Sequence, residues 1–212
     1  VAPHWFTLRL NNSGRVERSG LLDIPYTMMD YLDVYYVSSG EITVAAEVGD
    51  ARPFSVRVLA HRGFLVPIII KPGDDVLVLI RAQSSGAMRL PLSLWSLEGF
   101  FEHEQMSIAP QLAFVGMMLA LILYNIFLLL GTRDVTYLWY VMSMLSISFV
   151  VMSFHGILAQ YVWPEHPQFN NPVLVAAISL TIVAASLFAY TFLDLKRFGR
   201  LMKGAILGLS GC

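Results

Sequence analysis

The sequence predicts a two-part membrane protein, with an all-β sandwich or jelly roll over residues 1–96 and an α-helical transmembrane bundle over residues 112–212. Hydrophobic residues make up 56% of the 212 residues and charged residues only 14%, whereas about 25% of a soluble domain is charged. Nine of the fourteen Lys and Arg residues precede position 111, and eleven of the fifteen Asp and Glu residues precede position 104. This asymmetry indicates a soluble domain followed by a membrane domain.

Short alternating or β-branched runs fill the first part of the chain. His4–Leu10 alternates, with Trp5, Thr7 and Arg9 on one face, and turn residues follow it. The continuous apolar run Phe64–Ile70 predicts a strand buried on both sides. The remaining predicted strands are Val16–Leu22, Leu32–Val37, Ile42–Val48, Phe54–Leu59, Val76–Arg81 and Met88–Trp95. Eight short strands separated by turns are typical of a sandwich or jelly roll.

Residues 97–111 are predicted to form a partly acidic juxtamembrane linker, either irregular or a short helix at the membrane surface. Three complete spans follow, at residues 112–130, 137–154 and 173–193, and residues 204–212 begin a fourth. A nineteen-residue helix rises ~28 Å, close to the ~30 Å hydrocarbon core of a bilayer. Ser and Thr within these spans are tolerated because their hydroxyls can bond carbonyls of the preceding turn or a neighbouring helix.

The orientation follows from the distribution of positive charge. The loop 131–136 contains Arg133, and the loop 155–172 contains no Lys or Arg. The next loop, 194–203, holds Lys196, Arg197, Arg200 and Lys203. Because positive loops stay in the cytoplasm, loops 131–136 and 194–203 are predicted inside, and loop 155–172 and the β domain outside.

Several classes of partner are disfavoured by composition. A formal net charge of −1 gives no indication of nucleic-acid binding. A single cysteine, Cys212, excludes an internal disulfide. The chain begins with Val1 and its last apolar run is about half the length of a span, so we expect the whole protein to be longer in both directions.

Four residues of the β domain are candidate ligand-binding residues. Trp5 and Trp95 offer aromatic faces of the kind that bind sugars and flat apolar ligands, and Arg9 and Arg57 could bind an anionic group. Tyr35 and Tyr36 are further aromatic candidates. The competing interpretation places the rings in the sandwich core and pairs Arg57, like Arg52, with Asp50 or Glu47 at the surface.

Titratable groups elsewhere do not form a recognisable catalytic or metal site. The metal-ligand residue types in Glu102-His103-Glu104 point in different directions, so a solvated juxtamembrane stretch is the preferred interpretation. His155 and His166 are interpreted as ordinary loop residues. No nucleophile–base pair, phosphate-binding loop or metal cluster is evident, so no catalytic residue, metal or cofactor is predicted.

Three residues of the first span are predicted to pack the bundle. Asn125, beside Tyr124, is a buried amide that would normally find its partner on a neighbouring helix. Gly116 forms a small-xxx-small pair with Ala120, which allows close approach of helices.

The order of these segments resembles the bacterial seven-transmembrane receptors with diverse intracellular signalling modules, and the β part resembles their second type of extracellular domain. The residues of the β part that carry the resemblance are Trp5-Phe6-Thr7-Leu8, Asn11, Leu32-Asp33-Val34-Tyr35-Tyr36, Gly49-Asp50, Pro53-Phe54, Arg57 and Pro91-Leu92-Ser93-Leu94-Trp95. Those of the membrane part are Tyr124-Asn125-Ile126-Phe127-Leu128, Arg133-Asp134, Tyr137-Leu138-Trp139-Tyr140, Gly156 and Tyr161-Val162-Trp163-Pro164.

The resemblance implies more than periodicity shows. It implies a jelly roll similar to carbohydrate-binding modules, seven helices in the inner membrane, a periplasmic N-terminal domain and a cytoplasmic output such as a diguanylate cyclase or histidine kinase. Its expected partners are the lipid bilayer, a small-molecule ligand of carbohydrate type and a second copy of the chain.

Two functional hypotheses from different classes therefore stand. In the first, the chain belongs to a sensory receptor in which a ligand on the β domain biases a two-state bundle. In the second, it belongs to a transporter or envelope-complex component with an accessory β domain, which would need charged residues within the spans. A lipid-binding or partner-binding scaffold is a third option.

Overall fold

A computed structural model describes residues 2–38 and 40–193 of the chain. Contacts divide the chain into two compact units. The β unit holds residues 1–106 and 153–170, and the helical unit holds residues 107–152 and the chain from residue 171. The predicted loop 194–203 and the partial span 204–212 lie outside the described residues.

The β unit is an antiparallel two-sheet sandwich, as the sequence predicts. Its strands are β1 (His4–Asn11), β2 (Arg18–Ile24), β3 (Tyr31–Ser38), β4 (Glu41–Val48), β5 (Phe64–Ile70), β6 (Asp75–Gln83) and β7 (Ser93–Trp95). One sheet has four strands in the order β1-β6-β3-β4, and the other has three in the order β5-β2-β7. Strands distant in sequence thus become neighbours, as in jelly rolls.

The core forms where the inner faces of the two sheets meet. Alternate residues of the strands point inward, and these include Leu32, Val34, Phe64, Val66, Val78 and Ile80, each at most 1% exposed. Burying one such side chain stabilises the fold by about 1.5–3 kcal/mol. The alternation places Trp5, Thr7 and Arg9 of β1 on the outer face, while Phe6 and Leu8 pack against the core.

One strand prediction is wrong, one is too long, and one strand is less buried than predicted. Phe54–Leu59 is not a strand, because a 3-10 helix occupies Phe54–Val56 and the alternating Val56 and Val58 are exposed. Met88–Trp95 contributes only Ser93–Trp95, since Pro91 has no N–H for a sheet bond. The run Phe64–Ile70 is a strand, yet it is not buried on both sides, because Pro67 and Ile69 of its outer face are exposed.

The helices are α1 (Leu97–Thr132), α2 (Val135–Phe154), α3 (Ile157–Tyr161) and α4 (Asn170–Phe192), with a 3-10 turn at Pro167–Phe169 before α4. Three segments are long and apolar enough to cross a membrane, at Leu97–Thr132, Val135–Phe154 and Pro167–Phe192. They confirm the three predicted spans. The predicted linker 97–111 is not a separate segment, because it forms the first turns of α1, a helix ~54 Å long.

Hydroxyl groups within the helices are satisfied locally, as expected. Ser146 and Ser148 donate to the carbonyls of Met142 and Met144 in α2, at 2.8 and 2.7 Å. Thr181 of α4 donates to the Ala177 carbonyl at 2.8 Å. These bonds explain how polar side chains are accommodated in apolar helices.

Candidate functional site

The four predicted ligand-binding residues do not converge on one site. Trp5 and Arg9 share the outer face of the four-stranded sheet, whereas Trp95 belongs to the three-stranded sheet. Arg57 follows the 3-10 helix between β4 and β5. Each residue therefore has to be considered in its own surroundings.

Trp5 presents an exposed aromatic surface. It is 57% exposed and stacks on Tyr35 of β3, with ring centroids 6.1 Å apart and an interplanar angle of 29°. Register explains this meeting, because Trp5 pairs with Arg81 and Tyr35 pairs with Leu79 across the intervening strand β6. The outer face of the sheet thus holds two adjacent aromatic rings.

A fixed ionic cluster lies on the same sheet face. Asp33 is 2% exposed, and its two carboxylate oxygens accept hydrogen bonds from Nη1 of Arg52 and Nη1 of Arg81, each at 2.6 Å. Because Asp33 lies opposite Arg81, which itself lies opposite Trp5, the cluster adjoins the aromatic pair. The residues of this outer face that concern ligand binding are Trp5, Asp33, Tyr35, Arg52 and Arg81. Its rings can stack and its partly exposed guanidinium groups can donate hydrogen bonds.

Arg9 forms an exposed ion pair with Asp75. Its Nε donates to Oδ2 of Asp75 at 2.7 Å, and Nη2 contacts the same oxygen. The hydrogen bond from Arg9 lowers the pKa of Asp75. Since both groups are exposed to solvent, this pair organises the end of the sheet and adds little to stability.

Arg57 is held among backbone carbonyl groups and aromatic rings. Its Nη1 donates to the carbonyls of His61 and Arg62 at 2.7 Å and lies 3.3 Å from that of Gly63. The guanidinium also lies 4.6 Å from the ring centroids of Phe54 and Phe64. Burial lowers the pKa of Arg57 to about 10, against the opposing effect of Asp50. Arg57 therefore binds backbone carbonyl groups instead of forming the predicted ion pair at the surface.

Trp95 packs on the first turns of α1. Its ring stacks on His103, with centroids 4.7 Å apart and planes inclined by 19°. A cleft of about 270 Å³ opens beside β7 and is bordered by Trp95, Arg18 and Gly20. Nearby Asp23 is 6% exposed, and burial is the main cause that raises its pKa.

The start of α1 is anchored to the sandwich through Phe100 and Glu104, whereas Glu102 and His103 are exposed as predicted. Phe100 is 5% exposed and packs with Leu21 and Leu65. Glu104 accepts a bond from Nη2 of Arg62 at 2.9 Å and lies 3.1 Å from Nε2 of His61. Because Nδ1 of His61 accepts the Gly63 N–H, Nε2 carries the proton and donates to Glu104.

A second anchored element is the segment 154–170, which follows α2 and reaches the first residue of α4; we name it the outer segment. The Thr27 hydroxyl donates to the Phe154 carbonyl at 2.9 Å, and the Phe54 N–H donates to the Pro164 carbonyl at 2.7 Å. Asn170 donates through Nδ2 to the Asp50 carbonyl at 2.8 Å. Its Oδ1 accepts the Trp163 indole N–H at 2.8 Å.

The outer segment also fits sterically against the sandwich. Leu158 is 2% exposed. Gly156 has φ +70, and a Cβ there would lie 2.9 Å from the Arg62 carbonyl oxygen and 3.1 Å from a Thr27 methyl carbon. Only glycine meets both demands. The two loop histidines are part of this segment, and burial together with the charge of Arg62 lowers the pKa of His155.

The three predicted bundle-packing residues lie on α1 in different surroundings. Asn125 donates through Nδ2 to the Leu121 carbonyl of its own helix at 2.8 Å, and the predicted interhelical bond stays a prediction. Tyr124 is 60% exposed. A Cβ on Gly116 would meet nothing within 4 Å.

A β-sandwich joined to membrane-spanning helices defines a multi-pass membrane protein with a folded domain outside the bilayer. The family model described as 7TMR-DISM extracellular 2 matches residues 1–96, and the one described as 7TM diverse intracellular signalling matches residues 109–212. The chain therefore belongs to the seven-transmembrane receptors with diverse intracellular signalling modules, and it is a membrane sensory receptor with an extracellular sensing domain. Neither curated proteins nor solved structures gave a match.

Within the ranges 2–38 and 40–193, no group of three or more His, Cys, Asp or Glu side chains could hold a metal ion. The family models describe sensory and signalling domains rather than catalytic ones. The outer face and the two anchored segments are therefore the candidate functional elements of this chain. The anchoring of the two segments was not predicted from the sequence. Two residues could have indicated it: Phe100, an aromatic residue within an acidic stretch, and Gly156, a glycine within a polar loop.

Proposed function

We propose that this chain is the sensing and transmission part of a receptor in the bacterial inner membrane, with the sandwich in the periplasm. The observation that carries the proposal is the docking of the outer segment on the sandwich. Two segments that bond to each other through Thr27, Phe54 and Asp50 lie on the same side of a bilayer. The absence of Lys and Arg from loop 155–172 supports an extracytoplasmic location for that side.

Reporter fusions test this location. Alkaline phosphatase fused after Gln168 is expected to be active, because the outer segment lies in the periplasm. The same enzyme fused after Lys203 is expected to be inactive, while green fluorescent protein at that position fluoresces. The opposite pattern at both positions would invert the topology and remove the basis for extracytoplasmic sensing.

The ligand class that fits the outer face is carbohydrate. Trp5 and Tyr35 supply ring surface, and each ring can stack on the apolar face of a sugar. Arg52 and Arg81, held by Asp33, can donate hydrogen bonds to hydroxyl groups from fixed positions. A preformed site of this type loses little conformational entropy on binding.

Substitution of Trp5 tests the ligand proposal. We expect that at least one of cello-, xylo-, manno-, malto- or chito-oligosaccharides raises the midpoint of thermal unfolding of the chain in nanodiscs. Trp5→Ala is expected to reduce the affinity about tenfold or more, since an anchoring ring contributes about 2 kcal/mol to binding. Val16→Ala, at a residue 67% exposed, is the control and should leave the affinity unchanged.

No shift with any of these sugars, or full binding by Trp5→Ala, would contradict a carbohydrate site on the outer face. Transmission would then still have two structural routes, α1 and the outer segment. In the proposal, ligand binding favours one of two arrangements of these anchored segments, and the bias reaches a cytoplasmic diguanylate cyclase or histidine kinase. Such outputs act as dimers in this family, so a homodimer is part of the proposal.

A further inference from the structure

We propose that the proton is a second input to this receptor, bound at Asp50, and that protonation of Asp50 holds the outer segment on the sandwich. This inference goes beyond ligand sensing. The docking can be measured on the chain itself, so a negative result would leave the carbohydrate proposal intact.

The backbone fixes Asp50 close to Asp30. Gly49 has φ +150, and a Cβ at this residue would lie only 2.1 Å from the Asp30 carbonyl oxygen. The N–H of Asp50 donates to the Met29 carbonyl at 2.7 Å, and that of Ala51 donates to the Asp30 carbonyl at 3.2 Å. With the outer segment in place, Asp50 is 7% exposed, and its Oδ1 is buried with no hydrogen-bond partner within the described part of the chain.

The outer segment closes over this carboxyl group. A cavity of about 20 Å³ is lined by Asp50, Thr27 and Arg57 from the sandwich and by Gly156, Leu158 and Asn170 from the outer segment. Asn170 simultaneously bonds the Asp50 carbonyl. The same residue thus carries the titratable side chain and one of the bonds that fix the outer segment.

Two charged groups act on the Asp50 carboxyl: Asp30, which directly precedes β3, and Arg57, which lies in the segment before β5. The titratable groups of the outer segment have other neighbours. His155 is influenced by Arg62, Glu165 accepts a bond from Ser55 at 3.1 Å, and His166 lies 3.3 Å from the Gln168 amide. The cavity face contributed by the outer segment is therefore uncharged.

The surroundings favour the neutral carboxyl group. Burial, followed by the charge of Asp30 and a hydrogen bond with it, raises the pKa of Asp50 to about 7, and Arg57 opposes this only in part. Arg57 cannot compensate fully because its Nη1 is bound to backbone carbonyls. An ionised Asp50 would leave a buried charge without adequate solvation.

The direction of the pH effect follows from proton linkage. When the outer segment leaves, water reaches Asp50 and its pKa falls towards the ordinary value of 3.8. Between these two pKa values the docked state binds more protons than the released state. Docking is therefore strongest below the lower value, weakens as the pH rises towards about 7, and changes no further above it. A low external pH would keep the outer segment, which connects α2 to α4, docked on the sandwich, and a neutral to alkaline pH would release it.

Spin labels at the contact between Ser55 and Glu165 measure docking directly. The chain is placed in nanodiscs with Cys212→Ser, so that only Ser55→Cys and Glu165→Cys carry labels. We expect strong dipolar broadening at about pH 5 that falls as the pH rises towards 7 and changes no further above it, because this is the window set by the two pKa values of Asp50. Asp50→Asn mimics the protonated group and should keep the broadening at every pH.

Asp30→Asn is the second test and does not remove the sensing group. Loss of the Asp30 charge should lower the pKa of Asp50 and move the midpoint to a lower pH. Glu41→Gln, at an exposed carboxylate on β4, is the control and should leave the midpoint unchanged. Broadening that does not change with pH, or an unchanged transition in both Asp50→Asn and Asp30→Asn, would overturn the proposal.

Discussion

Gly49→Ala is expected to prevent stable folding of the sandwich. The new methyl group would lie 2.1 Å from the Asp30 carbonyl oxygen, 2.8 Å from its carbonyl carbon and 3.0 Å from the Tyr31 Cα. These atoms belong to the backbone at the start of β3, so relief requires displacement of a central strand. The backbone of Gly49, at φ +150, is also strained for any other residue. We expect a loss of about 4 kcal/mol or more, measured by urea unfolding followed through tryptophan fluorescence.

Gly73→Ala separates these two causes. Gly73 has φ +76, and a Cβ there would meet nothing within 4 Å, so this variant carries only the conformational cost. That cost is about 1–2 kcal/mol. Equal destabilisation by the two variants would show that the close approach of Asp30 to Gly49 does not govern folding.

The sandwich could be predicted because local patterns and burial agree. The alternation His4–Leu10 separates Trp5 from Phe6, and the structure exposes the first while packing the second against the core. The same agreement fails at Phe54–Leu59, where alternation exists without a partner strand. Instead, the Phe54 N–H bonds the Pro164 carbonyl, a contact between residues more than a hundred positions apart. Periodicity carries no information about such a contact.

The membrane spans could also be predicted, since the length of the apolar segments alone identifies them. The hydrogen-bond partner of Asn125 could not be predicted. An amide in a helix can bond either a neighbouring helix or its own preceding turn, and the sequence does not distinguish the two. The bond to the Leu121 carbonyl satisfies one donor locally. The anchoring of α1 was missed for a related reason, as Glu104 looks solvated until folding brings His61 and Arg62 to it.

The assignment of Arg57 leads to the second large effect. The sequence predicts an exposed cation, either bound to an anionic ligand or paired with Asp50 or Glu47 at the surface. The structure instead surrounds Arg57 with two carbonyl groups at 2.7 Å, a third at 3.3 Å and two aromatic rings. Arg57→Ala leaves these carbonyls without their donor and Asp50 without its nearby cation. We expect a loss of about 3 kcal/mol of unfolding free energy, measured by the same urea titration.

Arg57→Lys distinguishes charge from geometry. An ammonium group keeps the positive charge but lacks the planar guanidinium that lies between Phe54 and Phe64, so we expect it to recover only about half of the lost stability. Arg9→Ala removes the guanidinium of an exposed pair and should unfold at the wild-type urea concentration. If Arg57→Ala instead kept wild-type stability and lost only the response to a bound sugar, Arg57 would be a ligand residue, and the buried arrangement would have no role in folding. Because the carbonyls of His61 and Arg62 belong to the turn that also bonds Glu104, the stability loss should be accompanied by faster amide exchange at the start of α1.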